Sequence, residues 1–290
     1  MGEHTVLAER FEENRSRLRA VAYRMLGSLN EADDAVQEAW LRLSRTQAGD
    51  IQNLNAWLTT VVGRVCLDLL RLRKSRREEP MEVYLPEPIV SPLEGVDPEN
   101  QALLADSVGL ALFVVLESLS PAERVAFVLH DMFDVPFDDI ASIVGRTPTA
   151  ARKLASRARG RVQQAPVPDS DLDRHREIVD AFLAASRDGD LEAIVAVLDP
   201  EVVLRVDAAR GASKVVRGAS EVARQALSFS QFAPFLRRLL VNGAMGVVAA
   251  PQGKVFSLTG FTVRDGKIVA MDILADPERL RRIDFSALGD

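Results

Sequence analysis

Apolar positions along this chain of 290 residues follow different periods in successive stretches, and proline-rich breaks separate them. Up to residue 77 the period is helical. Val21, Ala22, Met25 and Leu26 close a first amphipathic helix, and Gly27-Ser28 breaks it. Asn30 is expected to cap a second helix, with Glu31, Asp33 and Asp34 in a first turn where negative charge complements the helix dipole. That helix turns Val36, Ala39, Trp40 and Leu43 inward. A polar loop, roughly residues 45–53, leads to a third helix with apolar pairs every four positions: Trp57/Leu58, Val61/Val62, Val65/Cys66 and Leu69/Leu70. Arg64, Asp68 and Arg71 lie on its other side, and it runs out in Arg71, Arg73, Lys74, Arg76 and Arg77.

Pro80, Pro86, Pro88, Pro92 and Pro98 then block helix and predict an extended linker. Helical spacing resumes at about Gln101 with Leu104, Val108, Leu112, Val115 and Leu116. Ser120-Pro121-Ala122-Glu123 is a capping-box pattern. The stretch from Phe137 to Arg161 reads as a helix-turn-helix. Phe137, Ile140, Ala141, Ile143 and Val144 form one stripe, Gly145 ends it, Thr147 caps the next helix and Pro148 suits its first position. Ala151, Leu154, Ala155, Ala158 and Val162 share one face of the second helix. Thr149, Lys153, Ser156 and Arg157 point away from that face, with Arg152 on the flank. No acidic residue occurs from 140 to 165, so this helix presents a basic front suited to a DNA major groove.

After a second linker, Ala165 to Ser170, the period changes again. Two helical stripes, one ending at Gly189 and one stopped by Pro200, precede β-like runs at Val202–Val206, Lys214–Arg217, Leu239–Ala250, Val255–Val263 and Lys267–Leu274. Arg264-Asp265-Gly266-Lys267 is a hairpin turn signal. Helices followed by a curved antiparallel sheet make an α+β unit.

Composition narrows the function. The net charge is −6, and neither residues 1–165 nor 166–290 are basic overall, so DNA contact must come from local clusters. The single cysteine, Cys66, excludes an internal disulfide and a Cys-rich zinc site, and His4, His130 and His175 are scattered. No cofactor or metal is expected. No apolar run approaches the roughly 20 residues of a membrane span. Glu3, Glu9, Glu12 and Glu13 interrupt any signal-peptide pattern, and a soluble cytoplasmic protein is expected.

The first 165 residues resemble an alternative sigma factor of bacterial RNA polymerase, of the extracytoplasmic-function type. EADDAVQEAWLRL, Glu31 to Leu43, is close to the family's polymerase-binding helix. AWLTTVVGRVCLDLLRLRKSR, Ala56 to Arg77, is close to its promoter-melting and minus-ten-reading helix. Residues 101–163 are similar to sigma region 4, whose helix-turn-helix reads the minus-thirty-five element. The resemblance implies that Asp33, Asp34, Gln37 and Glu38 meet core RNA polymerase. It implies that Asn53, Asn55, Thr59, Thr60, Arg64, Arg71, Arg73 and Lys74 meet minus-ten promoter DNA, the asparagines by holding a flipped base and the cations by neutralising phosphate. Thr149, Arg152, Lys153, Ser156 and Arg157 would meet the minus-thirty-five element.

Residues 171–290 resemble a SnoaL-like domain of the NTF2-like superfamily, a cone-shaped α+β fold with a cavity. A subgroup of these sigma factors carries such an extension, with a Trp-Leu-Pro-Glu-Pro linker motif. Tyr84-Leu85-Pro86-Glu87-Pro88 stands in its place here, Asp188-Gly189-Asp190-Leu191 matches a second motif, and Asp276-Pro277-Glu278-Arg279-Leu280 is a weaker match to a third. SnoaL relatives include enzymes that use an Asp and a His. No histidine follows residue 175, and Asp207 and Asp272 are lone carboxylates in β-like runs. The extension is therefore expected to regulate and not to catalyse. It would hold the two sigma regions compact, with no separate anti-sigma factor required and with an unknown small ligand as a candidate occupant of its cavity. Tyr84 to Pro88 are expected to pack near the Asp188–Leu191 turn.

The expected organisation is multidomain: two all-α sigma domains and an α+β, NTF2-like and SnoaL-like domain. The boundaries are 1–78 for region 2, 79–100 for a linker, 101–164 for region 4, 165–172 for a linker and 173–290 for the extension. Two rival readings stay open from the residues. One is a ligand-responsive helix-turn-helix regulator, which leaves residues 11–77 without a role. The other is a SnoaL-type enzyme tethered to DNA.

Overall fold

The computed structural model describes residues 2–46, 51–76, 85–93, 109–163, 171–209 and 212–285. The chain divides into two compact units. The first comprises Met1–Pro80, Pro98–Ala105 and Val115–Gln164, and the second Met81–Asp97, Asp106–Val114 and Ala165–Asp290.

The first unit opens with three helices, α1 (Gly2–Leu26), α2 (Leu29–Leu43) and α3 (Leu54–Arg76). Leu18, Tyr23, Met25 and Leu26 of α1, Ala35, Ala39 and Leu43 of α2, and Leu58, Val62 and Cys66 of α3 are almost fully buried. Phe11 and Trp40 close one end, ring to ring at 5.0 Å. The cap of α2 is Ser28 and not Asn30: the Ser28 hydroxyl accepts the Glu31 amide at 3.4 Å, and Asn30 already lies inside the helix. Gly27, at φ 66°, supplies the left-handed corner that places Ser28 there.

The rest of this unit is helical too. Helix α4 (Gly109–Ser118) contributes its last turn. Helix α5 (Pro121–Phe127) begins at the full capping box of Ser120 and Glu123 and continues into a π-helical turn, Val128–Met132. Helices α6 (Phe137–Val144) and α7 (Pro148–Gln163) form the helix-turn-helix. Its corner is the expected one: Gly145 sits in the left-handed region at φ 67°, and the Thr147 hydroxyl accepts the Ala150 amide at 3.2 Å. Ala151, Ala155 and Ala158 are fully buried, so small side chains let α7 lie close to its neighbours.

These helices form one body with α1–α3. The buried Arg124 of α5 donates to the carbonyls of Leu116 and Met25, each at 2.8 Å, and pairs with Glu117 at 2.7 Å. Helix α3 meets α6 at Gly63, where a Cβ would stand 3.2 Å from Ile143 Cδ1.

The second unit is a mixed seven-stranded sheet with helices on one face. Its strands are β1 (Val90–Ser91), β2 (Leu198–Asp207), β3 (Lys214–Arg217), β4 (Leu236–Val241), β5 (Ala244–Ala249), β6 (Ser257–Arg264) and β7 (Lys267–Leu274), in the order β1-β4-β5-β6-β7-β2-β3. Among the described residues only the β2–β7 pair is parallel. Helices α8 (Leu172–Asp188), α9 (Leu191–Val197) and α10 (Ala219–Ser228) accompany the sheet, and a short α11 (Pro277–Leu280) follows β7. The predicted run Leu239–Ala250 is two strands, because Asn242 and Gly243, at φ 50° and 77°, turn the chain back. The Asp265-Gly266 hairpin turn is as expected, at φ 52° and 74°.

Strand alternation gives the sheet two distinct faces. Leu204, Val247, Phe261 and Met271 point to the helices and join Phe182 and Val222 in one core. Leu239, Val241, Val248, Leu258 and Leu274 point the other way and form a second core with Leu85, Val90, Leu110 and Leu280. Gly260 lets Leu110 approach this face, since a Cβ there would stand 3.0 Å from Leu110 Cδ1. Residues 85–93, part of the stretch expected to be an extended linker over 79–100, group with the C-terminal unit, and Val90 and Ser91 add a strand to its sheet.

Candidate functional site

Helix α2 sorts its predicted polymerase-facing residues into two kinds. Asp34 and Gln37 are exposed. Asp33 is held by Arg19, with Nε at 2.7 Å and Nη2 at 3.2 Å, and Glu38 pairs with Arg42 at 2.8 Å. Leu41, 40% exposed, stands on the same helical stripe as Asp34, Gln37 and Glu38.

The predicted minus-ten residues on and before α3 are mostly engaged. Asn53 caps the helix, its Oδ1 accepting the Ala56 amide at 3.1 Å. Arg17 of α1 donates to Asn55 Oδ1 at 2.7 Å and to the buried Thr59 hydroxyl at 3.1 Å. The same guanidinium donates to the Phe133 carbonyl at 3.4 Å and lies 5.9 Å from the Phe133 ring. Arg64 reaches the Ser142 carbonyl of α6 at 3.4 Å. Arg73 donates to the Leu26 carbonyl at 2.7 Å and is ion-paired with Glu31. Thr60 donates to the Ala56 carbonyl at 2.9 Å, and Arg71 pairs with Asp68 at 3.5 Å. Lys74 is exposed and lines a polar recess with Arg73, Arg124 and Arg161.

The recognition helix is different. Thr149, Arg152, Lys153, Ser156 and Arg157 are all exposed along one side of α7. Arg152 stands over the Phe137 ring at 5.5 Å, which orients it without neutralising it. Arg159 and Arg161, basic in the same run, are taken up by Asp131 and Glu123. Burial would raise the Glu123 carboxyl, but the two Ser120 hydrogen bonds and the nearby Arg161 and Arg157 charges bring it below its ordinary value.

In the second unit the segment from Leu85 is fastened by polar anchors. The buried carboxylate of Asp207 accepts the Leu85 amide at 2.7 Å and pairs with Arg279, whose other nitrogen donates to the Leu85 carbonyl. Asn242 repeats the arrangement at Ile89: its Oδ1 accepts the Ile89 amide at 2.9 Å, and its own amide donates to the Ile89 carbonyl at 2.8 Å. Leu85, Pro86 and Pro88 are buried between these anchors and Glu87 is half-buried. Tyr84 lies outside the described residues.

Leu85, Ile89, Val90 and Ser91 are held by Asp207, Arg279, Asn242 and the Leu239–Val241 strand. The Asp188–Leu191 turn is a capped helix corner: Gly189 takes φ 75° and the Asp190 carboxylate accepts the Ala193 amide at 2.9 Å. Asp188, Gly189 and Asp190 are exposed there.

Asp207 and Asp272 do not face the helix-side cavity. Both lie on the strand positions opposite Val206, Met271 and Ile273, which line it. Asp272 accepts from Arg205 at 3.0 Å. Burial pushes both carboxyls above the ordinary aspartate value, only partly offset at Asp207 by the Leu85 amide and Arg279 and at Asp272 by Arg205.

The helical unit carries two family signatures: Sigma-70 region 2 matches residues 10–77, and Sigma-70, region 4, matches residues 110–162. ECF RNA polymerase sigma factor SigJ of Mycobacterium tuberculosis (strain ATCC 25618 / H37Rv) is 42% identical over 286 residues, covering 93% of this chain and 91% of that protein. The chain belongs to the ECF RNA polymerase sigma factors. Probable ECF RNA polymerase sigma factor SigI of the same organism (strain CDC 1551 / Oshkosh) is 35% identical over 97% of both chains. The crystal structure of the M. tuberculosis extracytoplasmic function sigma factor SigJ superposes with a TM-score of 0.78 at 38% identity, covering 95% of this chain and 99% of that one.

Both matches extend over the C-terminal unit, so the likeness of this sigma factor to them is not confined to the two sigma regions. Membership makes it an alternative sigma factor acting in promoter recognition. Among the described residues no helix is long and apolar enough to cross a membrane. The contacts made by Arg17, Asn242 and Arg279 were not anticipated from the sequence. Asn242-Gly243 carried a turn signal that could have split the long β run, and Arg279 sits inside a motif that was noticed without a role.

Proposed function

We propose that this sigma factor docks on core RNA polymerase through the exposed stripe of α2, reads the minus-ten element with α3 and the minus-thirty-five element with α7, and is restrained by its own C-terminal unit. Asp34, Gln37 and Leu41 form the docking stripe, with Asp33 and Glu38 released from Arg19 and Arg42 to join it. Lys153 and Arg157 are the foremost groups of α7 for phosphate or base contact. Asn53, Asn55, Thr59, Thr60, Arg64, Arg71, Arg73 and Lys74 meet the minus-ten strand once region 4 leaves α3.

The observation that carries the restraint is the fastening of Leu85 to Ser91. This segment belongs to the only covalent connection between region 2 and region 4, and Asp207, Arg279 and Asn242 build it into the sheet of the C-terminal unit. While it is held, only the nine peptide steps from Arg76 to Leu85, roughly 30 Å fully extended, lead out of region 2. Release of the strand gives the two DNA-reading regions the whole connection to spread along. Such a two-state strap shifts with a few kcal/mol of differential binding, which polymerase docking can supply.

The C-terminal unit acts by binding and not by turnover. The described lining of its cavity holds no Asp, Glu or His, and its two buried aspartates face the strap side. The restraint resides in the chain itself, so a separate anti-sigma protein would add to it without being its source. Core polymerase and promoter DNA as partners place its work in the bacterial cytoplasm.

The test is transcription by core polymerase from a promoter library, with the full chain and with Arg279→Ala. Stronger initiation by the variant at equal core occupancy supports the restraint. Equal initiation by both, with Leu85 shown by hydrogen exchange to be released in the variant, would remove it.

A further inference from the structure

The helix-side face of the C-terminal sheet does not close on itself. Between it and helices α8 and α10 lies a cavity of about 320 Å³. Its walls are mostly apolar, with Leu204, Val206, Val222, Val247, Met271 and Ile273 among them. Water is a poor occupant of such a space, because each molecule needs two to four polar partners. One of the few hydroxyls on the wall, that of Ser186, is already spent on the Phe182 carbonyl at 2.8 Å.

Two further features specify the occupant. Phe229, Phe232 and Phe256 line the cavity as a run of aligned rings, with centroids 6.1 Å and 4.8 Å apart and interplanar angles of 27° and 16°. Phe229 is 47% and Phe256 44% exposed, which leaves aromatic faces in water at a site the chain could have filled with polar residues. Lys214 is the one charged side chain among the described lining residues, and its Nζ donates to Gln225 Oε1 at 2.9 Å. An ammonium with no carboxylate on the same wall selects an anion, and the adjacent Gln225 can donate its amide to the same group.

We propose that this cavity binds a small aromatic carboxylic acid, its ring system seated against the phenylalanine run and its carboxylate paired with Lys214. The site is separate from the strap, which occupies the opposite face of the sheet, and binding does not depend on the regulatory reading above.

The experiment uses the full chain and 2-naphthoate as probe, with 2-naphthamide as its neutral isostere, by isothermal titration calorimetry. One molecule of 2-naphthoate should bind saturably, and 2-naphthamide about tenfold or more weakly, since a charge-assisted contact is lost. Lys214→Gln, an exposed and conservative change, should lower 2-naphthoate affinity to the level of the amide while leaving the amide unaffected. Ala226→Phe, which fills the cavity from α10, should abolish binding of both. Absence of saturable 2-naphthoate binding would overturn the proposal, as would equal affinity for acid and amide. Unchanged binding in Ala226→Phe, with its helical signal intact, would place the probe elsewhere and overturn it too.

Discussion

Along α7, Thr149, Arg152, Lys153, Ser156 and Arg157 stand in solvent, whereas Asn55, Thr59, Arg64 and Arg73 on α3 are each held by another part of the first unit. Both helices end in clusters of cations, and both belong to segments matched by sigma family signatures. What separates them is packing. Helix α7 turns an alanine seam inward, so its polar side is free by construction. Helix α3 has apolar residues on one side and a glycine on another, and at Gly63 it accepts α6. On the proposed assignment the minus-thirty-five residues of α7 are already exposed, while the minus-ten residues of α3 would have to be uncovered by separating region 4 from region 2.

The contrast can be broken most strongly at the strap. Arg279→Ala leaves the Asp207 carboxylate buried without its cation, at a cost of about 3–5 kcal/mol to the second unit. Hydrogen exchange should then show the Leu85 and Ile89 amides losing protection ahead of the β5–β6 core. Next in size is the α3–α6 contact. Gly63→Leu overpacks it against Ile143 by about 1–3 kcal/mol, and it should expose the minus-ten residues and raise DNA affinity with little loss of helix content by circular dichroism. On the open side, Arg157→Ala should cost about 1–3 kcal/mol of discrimination at one base pair if it reads guanine, as binding to a site library would reveal; a uniform loss marks a phosphate contact. Asp34→Arg should weaken core polymerase binding several-fold in a fluorescence titration, mainly through the association rate.

How much of this was legible in the sequence depends on the range of the interaction. The helix-turn-helix corner was readable, because Gly145, Thr147 and Pro148 act within a few residues of one another. So were the Ser120 capping box and the Asp265-Gly266 turn. The cap of α2 was misplaced by two residues because Ser28 and Asn30 are both good caps, and only the left-handed Gly27 decides between them. The strap was legible only as a segment expected to pack on the C-terminal unit; its strand at Val90–Ser91 and its anchors were not. Leu85 meets Asp207 and Arg279 across more than a hundred residues, and the prolines around it signal extended chain equally well in a free linker or an added strand. The covering of α3 was hidden for the same reason: Arg17 and Ile143 are ordinary residues of their own helices until the fold brings them to Asn55 and Gly63.

The smallest expected effect is on pH dependence, where the two units carry opposite signs. Asp207 and Asp272 bind their protons more tightly folded than unfolded, so what they add to stability is greatest at acid pH and is lost as pH rises through their raised folded values. Glu123 is the reverse: its contribution is present above the ordinary glutamate range and is lost as pH falls through its lowered folded value. Acidification from neutral pH should therefore raise amide protection in the second unit first, with protection in the first unit falling only once the pH drops into the ordinary glutamate range and below.

The central claim, that region 4 covers α3 until polymerase separates them, is tested most directly by a distance between the two. Spin labels on Asp68→Cys of α3 and Lys153→Cys of α7 use exposed positions, while the native Cys66 is buried and its thiol is pushed well above the ordinary range by that burial. Double electron–electron resonance on the free full chain should give one short, narrow distribution, and addition of core RNA polymerase should replace it with a longer one. The same short distribution with polymerase bound, or a broad one in the free chain, would contradict the account.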